Sequence, residues 1–266
     1  MRSPWTWAAL AVVTAVCGVL PYAVTGGDAP RPLTADEARR LALTRFRAYR
    51  DSPAAVTVRA PLPGGTAVVR AVVDEHRQRA VGWFDTGDAA ERGLLAWDTR
   101  GLAVARPRTD GSAAPLTRPA SLAQAVAEAG RLRRGVWIRR AYGPASLDTA
   151  LRLTLFLAAD RPDSARLFAR SARRHVGQDR IGGRRYDIFS APPSLRFWVD
   201  GTGRLRRVRE DLDDDRTIMV DMTATRVRPG VPDGPWARAD GPAARCEPDR
   251  PTCELSTPPV RLRTTP

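Results

Sequence analysis

The chain has 266 residues, 43% of them hydrophobic and 27% charged, with a formal net charge of +14. That balance excludes a disordered polyelectrolyte and a multi-span membrane protein, and the roughly 200 residues left between the two ends suffice for one well-cored domain. All 43 basic residues are arginine, lysine and asparagine are absent, and the two histidines are His76 and His175. Lysine and asparagine use AT-rich codons, so part of the arginine excess reflects a high-GC bacterial genome, and charge alone argues weakly for a nucleic-acid partner.

Residues 3–27 carry no charge. Trp5–Val24 would form a helix about 30 Å long, matching the hydrocarbon core of a bilayer, with Trp5, Trp7 and Tyr22 near its ends, where amphipathic rings favour the interface. Residues 1–27 are therefore expected to be a signal anchor, a single transmembrane helix with its N-terminus inside. Cleavage before Asp28 and lipid attachment at Cys17 are the alternatives, and all three place residues 28–266 outside the cytoplasm. Residues 28–32 read as a linker.

Thr34 and Glu37 then form a capping box, and Ala38, Leu41, Ala42, Phe46 and Tyr49 recur at helical spacing until Asp51-Ser52-Pro53. Five short strand-like runs follow, at 55–59, 66–74, 79–86, 94–98 and 102–107, joined by turns such as Pro63-Gly64-Gly65 and Thr99-Arg100-Gly101. Connections this short imply antiparallel hairpins. A polar stretch at 109–119 leads to a helix over 121–131, a strand over 136–140, an apolar helix over 147–158 and a second helix over 162–173. Strands return at 184–190, 195–200, 204–210 and 218–224. From Pro229 onward, nine prolines in 38 residues and no periodicity predict a loosely ordered tail over 229–266. Within it Cys246 and Cys253 have no histidine beside them and make a poor zinc site; in an oxidising compartment they are expected to form a local disulfide.

Asp74-Glu75-His76 reads as a solvated turn, and the acidic residues of 210–215 as a charged hairpin loop without EF-hand spacing. His175, after Arg173-Arg174, reads as a helix-terminal cation. There is no Gly-x-Ser-x-Gly elbow, no Walker loop and no dinucleotide fingerprint, so no catalytic, metal or cofactor site is expected. A carboxylate hydrolase built on Asp148, Asp187 or Asp200 is the remaining enzymatic alternative. Arg131, Arg133, Arg134, Arg139 and Arg140 form the sharpest basic cluster. Outside the cytoplasm it suits an anionic membrane surface or cell-wall polymer better than nucleic acid, and a generic solvated face is the plainer reading.

The order of helix, antiparallel strands, apolar helices and further antiparallel strands, behind a membrane leader, resembles the lipoprotein-carrier (LolA-like) superfamily. Within it, the chain is most similar to the actinobacterial envelope lipid carriers of the LppX/LprG type. The likeness is carried by LTADEARRLALTRFRAYRD, SLDTALRLTLFLAADRPDSARLFARSA and RRYDIFSAPPSLRFWVDGTGRLRRVRED, and spans residues 33–228. The resemblance implies an α+β fold, a curved antiparallel half-barrel closed by helices over an apolar cavity. Trp83, Trp97, Trp137, Phe156, Phe197 and Trp198 are the candidate linings, with at most one of the adjacent Phe197 and Trp198 facing inward. The same aromatics would equally fill a dry core. The expected function is non-catalytic binding of a lipid or lipoprotein acyl chain. The alternative is an envelope sensor or protein–protein interaction domain with a filled core.

Overall fold

Helix α1 (Ala35–Arg50) starts where the capping box predicts. Thr34 Oγ1 accepts from the Glu37 N–H, the Glu37 carboxylate accepts from the Thr34 N–H, and Asp51 caps the far end. The computed structural model describes residues 29–87, 92–105, 118–212, 216–226, 230, 231, 233 and 234. A two-residue strand, β1 (Arg31–Pro32), precedes α1. The hairpin-rich half follows as β2 (Ala54–Leu62), β3 (Gly65–Asp74), β4 (Arg79–Asp85), β5 (Arg92–Asp98) and β6 (Gly101–Ala105). Helix α2 (Leu122–Arg131), a 3-10 turn (Arg134–Val136) and β7 (Ile138–Arg140) lead to α3 (Ser146–Phe156) and α4 (Ala165–Arg170). The last five strands are β8 (Arg174–Ile181), β9 (Arg184–Ala191), β10 (Leu195–Val199), β11 (Leu205–Asp211) and β12 (Thr217–Arg226).

All twelve strands join one antiparallel sheet in the order β1-β8-β9-β10-β11-β12-β2-β3-β4-β5-β6-β7. Pairing of β12 with β2 joins the two halves of the chain, with Val220 opposite Val58. Among the described residues the sheet stays open, with β1 and β7 at its edges, and four helices accompany it in an α+β fold. Close strand approach is needed at Gly82, where a Cβ would collide with the Arg70 carbonyl and Ala71.

Both faces of the middle strands are buried. Helices α1 and α3 cover one face, packing on Val58, Val69, Val73, Phe84, Leu95 and Trp97, and α4 lies against α1. Helix α2 covers the other, over Val72, Val81, Trp83, Leu94 and Ala96. Adjacent pairs such as Val72–Val73 and Leu94–Leu95 therefore split between two cores, as strand alternation requires.

Several expectations need correction. The helix expected over 162–173 contracts to the six residues of α4, and the chain enters β8 at Arg174. His175 is accordingly a buried strand residue and not a helix-terminal cation. Asp74 and Glu75 are buried, 6% and 2% exposed, where a solvated turn was expected. The last two linker residues, Arg31 and Pro32, pair with β8. At the start of the expected tail, Val231 is fully buried in the core under α2, and Asp233 pairs with Arg79. Residues 1–27 and the cysteines Cys246 and Cys253 lie outside the described residues. No helix among the described residues is long and apolar enough to cross a membrane.

Candidate functional site

The aromatic residues expected to line one cavity are dispersed. Trp97, 1% exposed, sits beneath α3, where its indole N–H donates to Thr154 Oγ1 at 3.1 Å and that hydroxyl donates to the Leu151 carbonyl at 2.6 Å. Phe197 is half-buried at the margin of the same core. Trp83 and Trp137 belong to the opposite core, under α2. Trp198 is buried apart from both, its indole N–H donating to Asp179 Oδ2 at 2.9 Å. Phe156 is 57% exposed at the end of α3. Around Trp97, the side chains of Phe84, Leu95, Leu147 and Leu151 have no accessible surface. A void that admits even a water molecule leaves accessible area on its walls, so these side chains pack against one another.

One arginine fastens the outer helices. Arg45, on α1, donates through Nε to the Phe156 carbonyl at 3.1 Å and through a terminal nitrogen to the Ala158 carbonyl at 3.3 Å; it also pairs with Asp163 at 3.4 Å. Main-chain bonds from Ala159 to the Arg45 carbonyl and from Asp163 to the Ala42 carbonyl complete the attachment. The α3–α4 connection is thus strapped to α1 by polar bonds, while its Leu157 and Ala158 are buried in the core and Leu153 and Phe168 of the flanking helices pack against it.

The three aspartates of the hydrolase alternative occupy separate structural roles. Asp148 is fully buried and accepts two bonds from the Arg140 guanidinium and one from the Gly143 N–H. Asp200 closes the turn after β10, accepting from the Thr202 N–H, the Thr202 hydroxyl and the Arg204 N–H. Asp187 belongs to a cluster that the sequence does not reveal. The basic cluster is likewise divided: Arg131, Arg133 and Arg134 are exposed, Arg139 is half-buried, and Arg140 is committed to Asp148.

That unpredicted cluster lies where β1, α1, β8 and β9 meet. His175, 3% exposed, has Nε2 at 3.5 Å from Asp187 Oδ1 and 4.0 Å from Glu37 Oε1. Glu37 is gripped by both terminal nitrogens of Arg31, and Asp187 is paired with Arg40 at 2.7 Å and accepts from Gln178 at 2.8 Å. Hydrogen bonds from Arg31 hold the Glu37 carboxyl down at about 2, against the opposing effect of burial. A polar cleft of about 420 Å³ opens beside them, lined by Glu37, Arg40, Gln178, Arg185, Asp187 and Gly201. Nε2 of His175 thus faces two carboxylates, while neither of its ring nitrogens makes a hydrogen bond. Its lining offers no hydroxyl or thiol nucleophile, and no group of residues among those described could hold a metal ion. Positions 37, 175 and 187 meet only through the pairing of β8 with β1 and β9, so no local sequence signal could have assembled them.

No family model and no curated protein matches the chain.

Proposed function

We propose that the protein is a non-catalytic envelope domain of LolA-like architecture, held outside the cytoplasm by its N-terminal segment, which works as a sensor or protein-interaction domain with a filled core. The observation that carries this reading is the closure beneath α3: Trp97 is 1% exposed, and Leu95, Leu147 and Leu151 have no exposed surface where an acyl chain would have to lie. Support for a curved, half-barrel sheet comes from its width. Strands spaced about 4.8 Å apart would spread twelve across more than any two helices can cover, yet one continuous core under α1 and α3 runs from Leu102 on β6 to Phe189 on β9. A sheet bent around its helices accounts for that reach.

Acyl-chain binding is the second reading, favoured by the slender fastening of α4. Its six residues pack on α1, and the strap depends on Arg45, whose side chain is 43% exposed. Lifting α3–α4 would turn the buried apolar floor into a groove.

Native mass spectrometry of the full chain, with titration of a fluorescent fatty acyl probe, separates the two. The filled-core reading expects an unliganded mass and no saturable uptake. Stoichiometric lipid, or uptake that strengthens in Arg45→Ala, would replace it with the second.

A further inference from the structure

Among the described residues three large hydrophobic side chains are exposed, and two of them flank the α3–α4 connection, Phe156 at 57% on the last residue of α3 and Leu167 at 68% within α4. Burial of the rest of this segment is ordinary: Leu155 and Leu157 are 2% and 4% exposed, and Phe168 packs inward with Arg173 over its ring at 4.0 Å. The two outliers are thus not symptoms of a loose helix pair. Their surroundings are strongly basic. Arg152, Arg161, Arg166 and Arg170 are exposed, and among the described residues no carboxylate pairs with Arg161, Arg166 or Arg170. The segment's two acids are Asp160 and Asp163, and Asp163 is already taken by Arg45. Helix α4 packs on α1, and four of its six residues are exposed, so it presents an outer surface of the molecule.

Exposed phenylalanine and leucine interspersed with uncompensated arginine is the chemistry of an interfacial anchor. Apolar side chains enter the boundary between headgroups and acyl chains, while arginine stems lie along it and present their guanidinium groups to phosphate. An acidic protein surface would satisfy the charges but would have to bury phenylalanine and leucine among carboxylates. An anionic bilayer satisfies both at once. We infer that the α3–α4 surface docks onto the headgroup layer of an anionic phospholipid bilayer, with Phe156 and Leu167 inserted and Arg152, Arg161, Arg166 and Arg170 at the phosphates. This goes beyond the proposed function and holds whether or not the core ever accepts an acyl chain. It also assigns the membrane contact to a different surface from the 131–140 cluster.

The test uses the full chain reconstituted in vesicles of phosphatidylcholine, with or without added phosphatidylglycerol, and reads amide hydrogen exchange across residues 152–173. Exchange in this segment should slow about tenfold when phosphatidylglycerol is present and recover in high salt, since each arginine near an anionic surface contributes about fivefold in partitioning. The charge reversal Arg161→Glu/Arg166→Glu/Arg170→Glu should abolish the protection, and Phe156→Ser/Leu167→Ser should reduce it. Unchanged exchange in β2–β3 amides would show that these surface variants remain folded. Equal exchange in both vesicle types would overturn the inference, as would protection that survives the charge reversal. Protection that is independent of lipid composition but grows with protein concentration would assign the surface to a second copy of the chain and equally overturn it.

Discussion

Glu37 and Glu75 are both buried, 6% and 2% exposed, yet they are pushed in opposite directions. Glu37 receives two bonds from Arg31 and one from the Thr34 N–H, and its carboxyl is held down at about 2. Glu75 opens the turn between β3 and β4, where Ser52 Oγ accepts its main-chain N–H at 2.8 Å and Gln78 reaches one carboxylate oxygen at 3.4 Å. Its Oε1 has no hydrogen-bond partner. Burial, reinforced by the neighbouring Asp74 charge and only partly offset by Arg45, pushes it up to about 8. Both side chains are closed to solvent, but Glu75 lies deeper among protein atoms, and it has no contacting guanidinium where Glu37 has Arg31. A buried carboxylate stays charged where a guanidinium grips it and takes a proton where none does.

Asp148 extends the comparison to its limit and gives the largest expected effect. Asp148→Ala would take the carboxylate away from Arg140, itself only 9% exposed, and should cost about 3–5 kcal/mol in urea denaturation. A cost under 1 kcal/mol would mean that pairing is not what keeps buried carboxylates in this fold.

Glu75→Gln tests the unpaired case. Below pH 4.5 both folded and unfolded chains hold the Glu75 proton; between 4.5 and about 8 only the folded chain does, so stability falls as pH rises through that window and the contribution is gone above 8. The glutamine variant should lose this slope and, at pH 8.5, be more stable than the parent by about 1–2 kcal/mol. Parallel stability–pH curves for the two proteins between pH 4.5 and 8 would contradict the account.

Arg31→Ala converts Glu37 toward the situation of Glu75. In the parent, the Glu37 contribution is present above pH 4.5 and is lost as pH falls toward 2. Removing Arg31, which is 41% exposed, should cost about 1 kcal/mol at neutral pH and move the acid loss to higher pH. An unmoved acid limb in thermal melts would show that Arg31 does not hold Glu37 down.

The smallest effect is expected at Arg45, whose charge faces Glu75 and whose bonds fasten α3–α4. Arg45→Ala should cost about 0.5–1 kcal/mol overall while raising hydrogen exchange selectively in residues 156–163. Uniform change across the sheet would argue against a local strap.

These contrasts mark where the sequence was readable. The start of α1 was legible because Thr34 and Glu37 encode a capping box within four residues, and the hairpins from β2 to β6 because glycine turns punctuate valine-rich runs. Strand β8 escaped notice. RHVGQDRI lacks an alternating apolar face, only His175 in it is buried, and a preceding arginine pair extends the helical reading. The burial of Glu75 was hidden for a related reason: a charged triplet after a strand looks solvated, and nothing local says that Ser52, 23 positions earlier, closes over it. The candidate site was less legible than the fold. Trp83 and Trp97 looked equivalent as apolar strand residues, but positions 83 and 97 face opposite cores once the sheet is covered on both sides. Sequence could name the aromatics but not which helix would cover each.

The narrow strands at the two borders of the sheet have a consequence for how this protein behaves at high concentration. A twelve-stranded open sheet has two lines of backbone that could template another chain, yet β1 contributes two residues, one of them a proline without an N–H, and β7 contributes three, two of them arginine. Pairing with β1 covers Arg174 and His175 alone of the eight residues of β8, so residues 176–181 already stand as a border. The register irregularity before Gly177 and the charges of Asp179 and Arg180 make that border a poor template, so the sheet's colloidal stability rests on β8 itself more than on the strand that flanks it.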